Sequence, residues 1–354
     1  MFSCRTSSLC FPLLYETTLP YRQAVVKRRA ACPAGGKVCG HDFFAAAAKT
    51  GPLRLKRPNG FDIITISMAK GVDNIRKQLI LVSDMEGASG IFERDHKMLW
   101  NGETEAWRGE GRRRMTSDVL AVCEAARAFG IDEVYYYDMH NSGNPEPNVL
   151  PGRLLDYVRL PDVPNRDEIF LRRIREGAQR EPFGIITVGQ HARAGTEDAY
   201  FPHTIQTPPV KNLWCNGLHI AEIGVPVLAF SGTPYLANIG CAASMREAKE
   251  LCPQVECITV KDKARGFEPP CEETYPMIYE GVLRALARLQ EMQTLRTDGA
   301  VHMSMALCDG WHFEPPEQFP WKGSFSHTEA SWEALTFFHG FEIWEAMRLM
   351  IKKD

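Results

Sequence analysis

The chain has 354 residues, 44% of them hydrophobic, enough for a full buried core in one large domain or two smaller ones. Its net charge of -3 and pI near 6.4 give no electrostatic ground for a nucleic-acid or acidic-membrane partner, and no run of eighteen apolar residues marks a membrane-spanning helix. Eleven cysteines, an odd number with no C-x-x-C pair, fit reduced thiols in a cytosol-like compartment rather than a disulfide framework.

Residues 1–60 carry ten Lys and Arg against two acids, leaving 31 basic and 42 acidic residues in the remainder. Ser, Thr, Arg, Pro and the run Ala45 to Ala48 dominate this stretch. Three readings fit it: an organelle-targeting segment, a disordered tail, or upstream sequence that is not translated, since Met68 opens MAKGVDNIRKQLILVSD. The expected organisation is an extension over 1–76, an α/β catalytic domain over 77–295, and a smaller C-terminal α+β region over 296–354. The expected location is cytoplasmic, with organelle targeting through the basic extension as the alternative.

Leu79 to Gly90, LILVSDMEGASG, begins as an apolar run without polar alternation, which suits a strand buried on both faces. Asp84 and Glu86 close it on one side of the strand line. Two adjacent carboxylates either face solvent as an acidic turn or share a cation. Arg112 to Gly130 places Met115, Val119, Cys123 and Ala126 on one helical stripe with Gly130 as its cap. EVYYYDMH, Glu133 to His140, is a second strand followed by a turn-rich loop.

Asp167 to Gln179 reads as a charged helix, and Ile185 to Val188 as a third strand that runs into His191. Val225–Ser231 and Cys257–Val260 are predicted as the fourth and fifth strands, with a helix over Met245–Leu251 between them and a long helix over Glu273–Met292 after them. A strand over Ala334–Phe338 and a helix over Phe341–Lys352 complete the chain. This order predicts an α/β fold with a largely parallel central sheet and flanking helices.

Ligands in open α/β sheets sit beyond the carboxyl ends of the strands, where Asp84, Glu86, His140 and His191 would converge. Two carboxylates and two imidazoles suit zinc, and one carboxylate can bridge two ions. His203, in FPHT, is open to three roles: metal ligand, acid–base group or surface histidine. His219, His302, His312, His327 and His339 are read as structural or exposed, and Cys215 as a buried structural thiol. There is no G-x-S-x-G, P-loop, G-x-G-x-x-G or H-E-x-x-H motif.

The motifs S-D-M-E-G at Ser83 to Gly87, D-x-H-N at Asp138 to Asn141, G-x-H-A-R-A-G-T at Gly189 to Thr196, and His203–Thr204 together resemble the D-aminopeptidases of the DppA type, peptidase family M55. The resemblance runs from about Leu79 to Gln290 and more loosely onward. It implies a ring-shaped homo-oligomer with two zinc ions per chain that removes N-terminal D-residues, such as D-alanine, from short peptides. Asp84 matches the bridging carboxylate, Glu86 and His140 ligands of one ion, His191 a ligand of the other, and His203 a catalytic nucleophile or proton shuttle.

One departure concerns a fifth ligand, a glutamate that the family carries after the N-G turn. Here Asn216 and Gly217 run almost directly into LHIAEIGVPV. Glu222 is the acid nearest this gap, but with Val225–Ser231 read as a strand it falls at the opposite edge of the sheet from the metals. An acidic pair that the family carries after its next strand is also missing here. On this reading the second zinc site is weakened. Two alternatives to the enzyme follow: a catalytically impaired family member serving as a binding or scaffold ring, and a different metal-dependent amidohydrolase.

Overall fold

Strand and helix alternate through the described part of the chain, which in the computed structural model comprises residues 53–55, 64–66, 77–99, 104–140, 146–159, 183–205, 208–292, 294–297 and 299–354. All of these fall within one unit, Pro52–Asp354. Leu53–Leu55 (β1) pairs antiparallel with Ile64–Ile66 (β2). The rest of the extension expected over 1–76 lies outside the described residues, as does the helix expected over Asp167–Gln179.

β3 (Gln78–Ser83), α1 (Arg112–Phe129), β4 (Glu133–Asp138), β5 (Val158–Arg159) and β6 (Gly184–Gln190) follow. After them come β7 (Val210–Cys215), β8 (Leu218–His219), α2 (Gly224–Ala229), β9 (Tyr235–Cys241), α3 (Ala242–Leu251), β10 (Glu256–Lys261) and α4 (Cys271–Ala287). The C-terminal part holds β11 (Val301–Leu307), β12 (Trp311–Phe313), β13 (Gly323–Phe325), β14 (Glu329–Ala334), α5 (Phe337–Arg348) and β15 (Ile351–Lys353).

A six-stranded parallel sheet in the order β10-β9-β6-β3-β4-β5 forms the centre, in agreement with the expected α/β class. Side chains on a strand alternate between faces, so a strand covered on both sides needs apolar residues throughout. β3 shows this directly. Leu79 and Leu81 join one core with Met115 and Val119 of α1 and Ile278 and Val282 of α4. Ile80 and Val82 join the other, with Leu213, Met303, Trp332 and Trp344.

That second core lies against a five-stranded antiparallel sheet in the order β13-β14-β11-β7-β8. Residues 296–354, expected as a region of their own, thus share a sheet with β7 and β8 from the middle of the chain. The β7–β8 hairpin turns on Asn216 (φ 51°) and Gly217 (φ 79°), the pair of left-handed residues that a two-residue hairpin with the native twist requires.

Three expected elements differ. Val225–Ser231 is not a strand: Gly224–Ala229 is helical and buried at every position, and an apolar run covered all round carries no period to distinguish helix from strand. Pro226 sits in its first turn, where a missing N–H costs nothing. The strand between β6 and β10 is instead β9. Ala334–Phe338 is the junction between β14 and α5, which begins after Thr336, whose side chain accepts from the His339 N–H. The last helix ends at Arg348, and Ile351–Lys353 pairs with β12.

On α1, buried Asp118 accepts a hydrogen bond from the Ser89 N–H at 2.8 Å. Burial pushes its carboxyl up to about 6, against the pull of Ser89 and of positively charged Lys261. The folded state therefore holds this proton to higher pH than the unfolded chain, and stability falls as pH rises from about 4 through about 6. Asp118→Asn keeps an acceptor for Ser89. It should flatten that slope by on the order of 2–3 kcal/mol, read as the difference between wild-type and variant urea unfolding at pH 4.5 and pH 7. An unchanged slope would show that Asp118 is not the group responsible.

Candidate metal centre

The carboxyl ends of β3, β6 and β9 approach so closely that side chains are excluded at three points. A Cβ on Gly189 would stand 1.9 Å from the Asp84 carbonyl oxygen, one on Gly87 1.9 Å from the Gln190 carbonyl oxygen, and one on Gly240 2.0 Å from that same atom. Gly189 also has φ +73°. The Asp84 N–H donates to Val188 O at 2.8 Å and the Gly87 N–H to Gly189 O at 2.7 Å, fixing the acidic turn on the end of β6.

Asp84, Glu86, His140 and His191 are all buried and all meet there. His140 Nδ1 is 3.3 Å from Asp84 Oδ1 and 3.0 Å from Glu86 Oε2. Its Nε2 lies 3.2 Å from Leu99 O, and because a carbonyl only accepts, Nε2 carries the proton and Nδ1 is left to face the carboxylates. His191 repeats the arrangement in mirror sense. Its Nδ1 donates to Ala192 O at 2.9 Å, and its Nε2 lies 3.3 Å from Asp84 Oδ2. Each oxygen of Asp84 therefore faces a different imidazole nitrogen.

Burial opposes charge on Glu86, His140 and His191, and mutual pairing overrides it. Burial works against ionisation of Glu86, but the charge of His140 and hydrogen bonding shared with Asp84 and His140 hold its carboxyl well below the ordinary range. Burial likewise works against His140 and His191. Glu86 and Asp84 nonetheless hold His140 well above its usual value, and Asp84 raises His191 to about 10. Protons on the imidazoles are thus one way to balance the carboxylates, and a metal cation is the other.

His203, the third histidine, stacks on His191 with ring centroids 4.0 Å apart and planes 13° apart. Its Nδ1 donates to Phe201 O at 2.8 Å, which leaves Nε2 3.9 Å from Glu86 Oε1. Burial first, then the charge of His191, hold its pKa below the ordinary value. Phe201 (φ 49°) and Ile205 (φ 47°) bracket it in the left-handed region, which non-glycine residues rarely adopt and which tends to mark functional segments.

Glu222 was expected at the far edge of the sheet, and the structure corrects this. It is buried beside the cluster, and its ligand oxygen, one from Asp84 and one nitrogen from His191 all lie within 4.8 Å of one another. The Ile205 N–H donates to Glu222 Oε2. Burial pushes its carboxyl up to about 8, Asp84 adding to the shift and His191 opposing it. The misplacement follows from the misread strand: with α2 in its place, Glu222 falls in the short connection after the β7–β8 hairpin. Pro226, which cannot donate to a sheet ladder, was the one signal against a buried strand there.

Asp138, Asn148 and Glu247 also support the site. Asp138 accepts from the His140 N–H at 3.2 Å and from the Asn148 N–H at 2.9 Å, and Asn148 Nδ2 donates to His140 O at 2.6 Å. Burial raises Asp138 to about 6 despite these donors. Glu247, on α3, accepts the Arg193 N–H with both oxygens at 3.0 and 3.2 Å, which anchors the chain just after His191. Cys215 is buried, with its thiol pushed up to about 11 by burial, as its structural reading requires. His312, read as structural or exposed, meets Asp354 at 2.6 Å near His327; the latter two are exposed, and an ordinary surface ion pair accounts for the contact.

The donors fit zinc. Two atoms bonded to one tetrahedral zinc at about 2.0–2.1 Å stand about 3.3 Å apart. That is the separation of each Asp84 oxygen from its facing imidazole nitrogen, 3.3 Å on both sides. His191 Nε2 is moreover buried with no hydrogen-bond partner among the described residues, the condition of a ligand atom waiting for a cation. Two groups of three donors share Asp84: one with Glu86 and His140, the other with His191 and Glu222.

The sequence model of the D-aminopeptidases, peptidase family M55, matches residues 78–346. The chain belongs to the D-aminopeptidase family. No curated protein matches it. Among solved structures, the "Zn-dependent D-aminopeptidase DppA from Bacillus subtilis, a self-compartmentalizing protease" superposes with a TM-score of 0.62 at 18% identity, over 77% of this chain and 97% of that one. At that identity the likeness shows a common fold.

The close approach at Gly189 gives a direct test. Gly189→Ala should cost several kcal/mol, because its Cβ meets backbone at a left-handed position. Gly130→Ala, at φ +91° with nothing within 4 Å of its Cβ, should cost only about 1 kcal/mol. Thermal melting of the two variants side by side reads the difference; equal losses would mean that the strand ends are not packed as described.

Proposed function

We propose that this family member is a zinc-dependent aminopeptidase that removes N-terminal D-residues of the D-alanine type from short peptides or amides, with two ions sharing Asp84. The observation that carries the reading is the division of the Asp84 carboxylate between two oppositely placed imidazoles. Glu86 and His140 would complete one site, and His191 and Glu222 the other. The alternative reading as an impaired ring protein rested on a lost fifth acid; the donor group Asp84, His191 and Glu222 favours the enzyme over it.

Zinc held in these sites supplies Lewis-acid activation of water and of the scissile carbonyl. His203 does the proton work. It is neutral near pH 7, and with its Nδ1 proton committed to Phe201 O it keeps a lone pair on Nε2 toward Glu86. There it takes a proton from the attacking water and returns it to the departing amine. Stacking against His191 and the backbone turns at Phe201 and Ile205 hold the ring in place for both transfers.

We further propose a homo-oligomeric ring, by analogy with the self-compartmentalizing Bacillus protein, and a reducing compartment. The seven cysteines among the described residues are all free thiols, and none of the helices among those residues is long and apolar enough to cross a membrane.

Metal analysis and kinetics test the assignment together. The purified chain should hold about two zinc ions and hydrolyse D-alanyl amides in preference to L-alanyl amides. His191→Ala and Glu222→Gln should each lose about one ion and at least about 100-fold in kcat, more than removal of an outer-shell partner costs. His203→Ala should keep both ions and lose about 10²–10⁴-fold. Unchanged zinc content in both His191→Ala and Glu222→Gln would refute the second site, and equal rates on D and L substrates would refute the specificity.

A further inference from the structure

β10 ends in Lys261, which is completely buried. Its Nζ donates to Glu86 O at 2.6 Å, to Ala88 O at 3.0 Å and to Ile91 O. An ammonium has three N–H donors and no acceptor, so one turn of chain takes its whole donor capacity. The rings of Tyr200, Phe92 and Phe201 stand 5.0, 5.7 and 6.0 Å from the nitrogen, so it lies among aromatic rings as well as carbonyl oxygens. From the other side of the turn, Asp118 takes the Ser89 N–H at 2.8 Å.

A buried ammonium held by carbonyls is expensive relative to an apolar residue of the same length. The turn it holds is the one that carries Glu86. Gly87, pressed against the Gln190 backbone, leaves that turn no side chain with which to brace itself at its second residue.

We propose that Lys261 is a positioning residue: a built-in cation around which the 86–91 turn closes before any metal arrives, setting Glu86 and hence the affinity of the Asp84–Glu86–His140 site. This rests on the metal-centre reading above. Lys261 touches the backbone of the turn and acts on the ion only through it. No donor of the Asp84–His191–Glu222 site lies on the 86–91 turn that Lys261 holds, so the two sites respond differently to its loss.

The test is cobalt(II) titration of the full-length apo protein and of Lys261→Met, followed by calorimetry and by the visible absorption of the bound ions. In the variant one class of site should weaken by at least about tenfold with altered absorption bands, while the other keeps its affinity and spectrum. A uniform weakening of both sites, or affinities within twofold of wild type at both, would overturn the inference. If the unaltered chain binds no cobalt, the metal centre itself fails and takes this inference with it; two ions on wild type with an indifferent variant removes this inference alone.

Should Lys261→Met not fold, hydrogen exchange on the unaltered protein decides the same point. A turn preset by Lys261 protects the amides from Gly87 to Ile91 equally in the apo and metal-loaded forms. Protection that appears only on loading would show that the metal, not the lysine, shapes the turn.

Discussion

Concentrating ionisable groups where water cannot reach them is the constraint on which this structure depends. Asp84, Glu86, His140, His191 and Glu222 are all nearly inaccessible, and each of them alone would favour its neutral form. Glu86, His140 and His191 hold charge because each faces a partner of opposite sign, whereas burial keeps the Glu222 carboxyl raised to about 8. The carboxylate of Asp84 links the two halves, with one oxygen toward His140 and the other toward His191. Remove it and the remaining donors form two unrelated pairs.

The fold supplies what this cluster needs in a definite order. Parallel pairing of β3 with β4 and β6 brings three strand ends into one line. Glycines at 87, 189 and 240 let the ends of β3, β6 and β9 close to van der Waals contact of backbone with backbone. Carbonyls of Leu99, Ala192 and Phe201 then fix which nitrogen of each histidine carries its proton. Hydrogen bonds of this kind fix the tautomer and orientation of an imidazole ring. The antiparallel sheet contributes differently. Its β7–β8 hairpin returns the chain toward the parallel sheet, and the short connection that follows delivers Glu222.

Much of this was legible in the sequence, for physical reasons. The unbroken apolar run LILV announces a strand covered on both faces, and strand ends are where α/β folds gather ligands, so Asp84, Glu86, His140 and His191 could be brought together from spacing alone. Glu222 could not, because its position depends on whether Val225–Ser231 is a strand or a helix. A run buried on all sides looks the same in either case. The supporting residues Glu247 and Lys261 were equally hidden: each is an ordinary charged residue on a helix or strand until tertiary packing buries it against a loop distant in sequence.

Anomalous diffraction at the zinc absorption edge from crystals of the metal-loaded protein tests the central claim most directly. Two peaks per chain are expected, about 3.5–4 Å apart, on either side of the Asp84 carboxylate. A single peak, or two peaks that do not share Asp84, would contradict it.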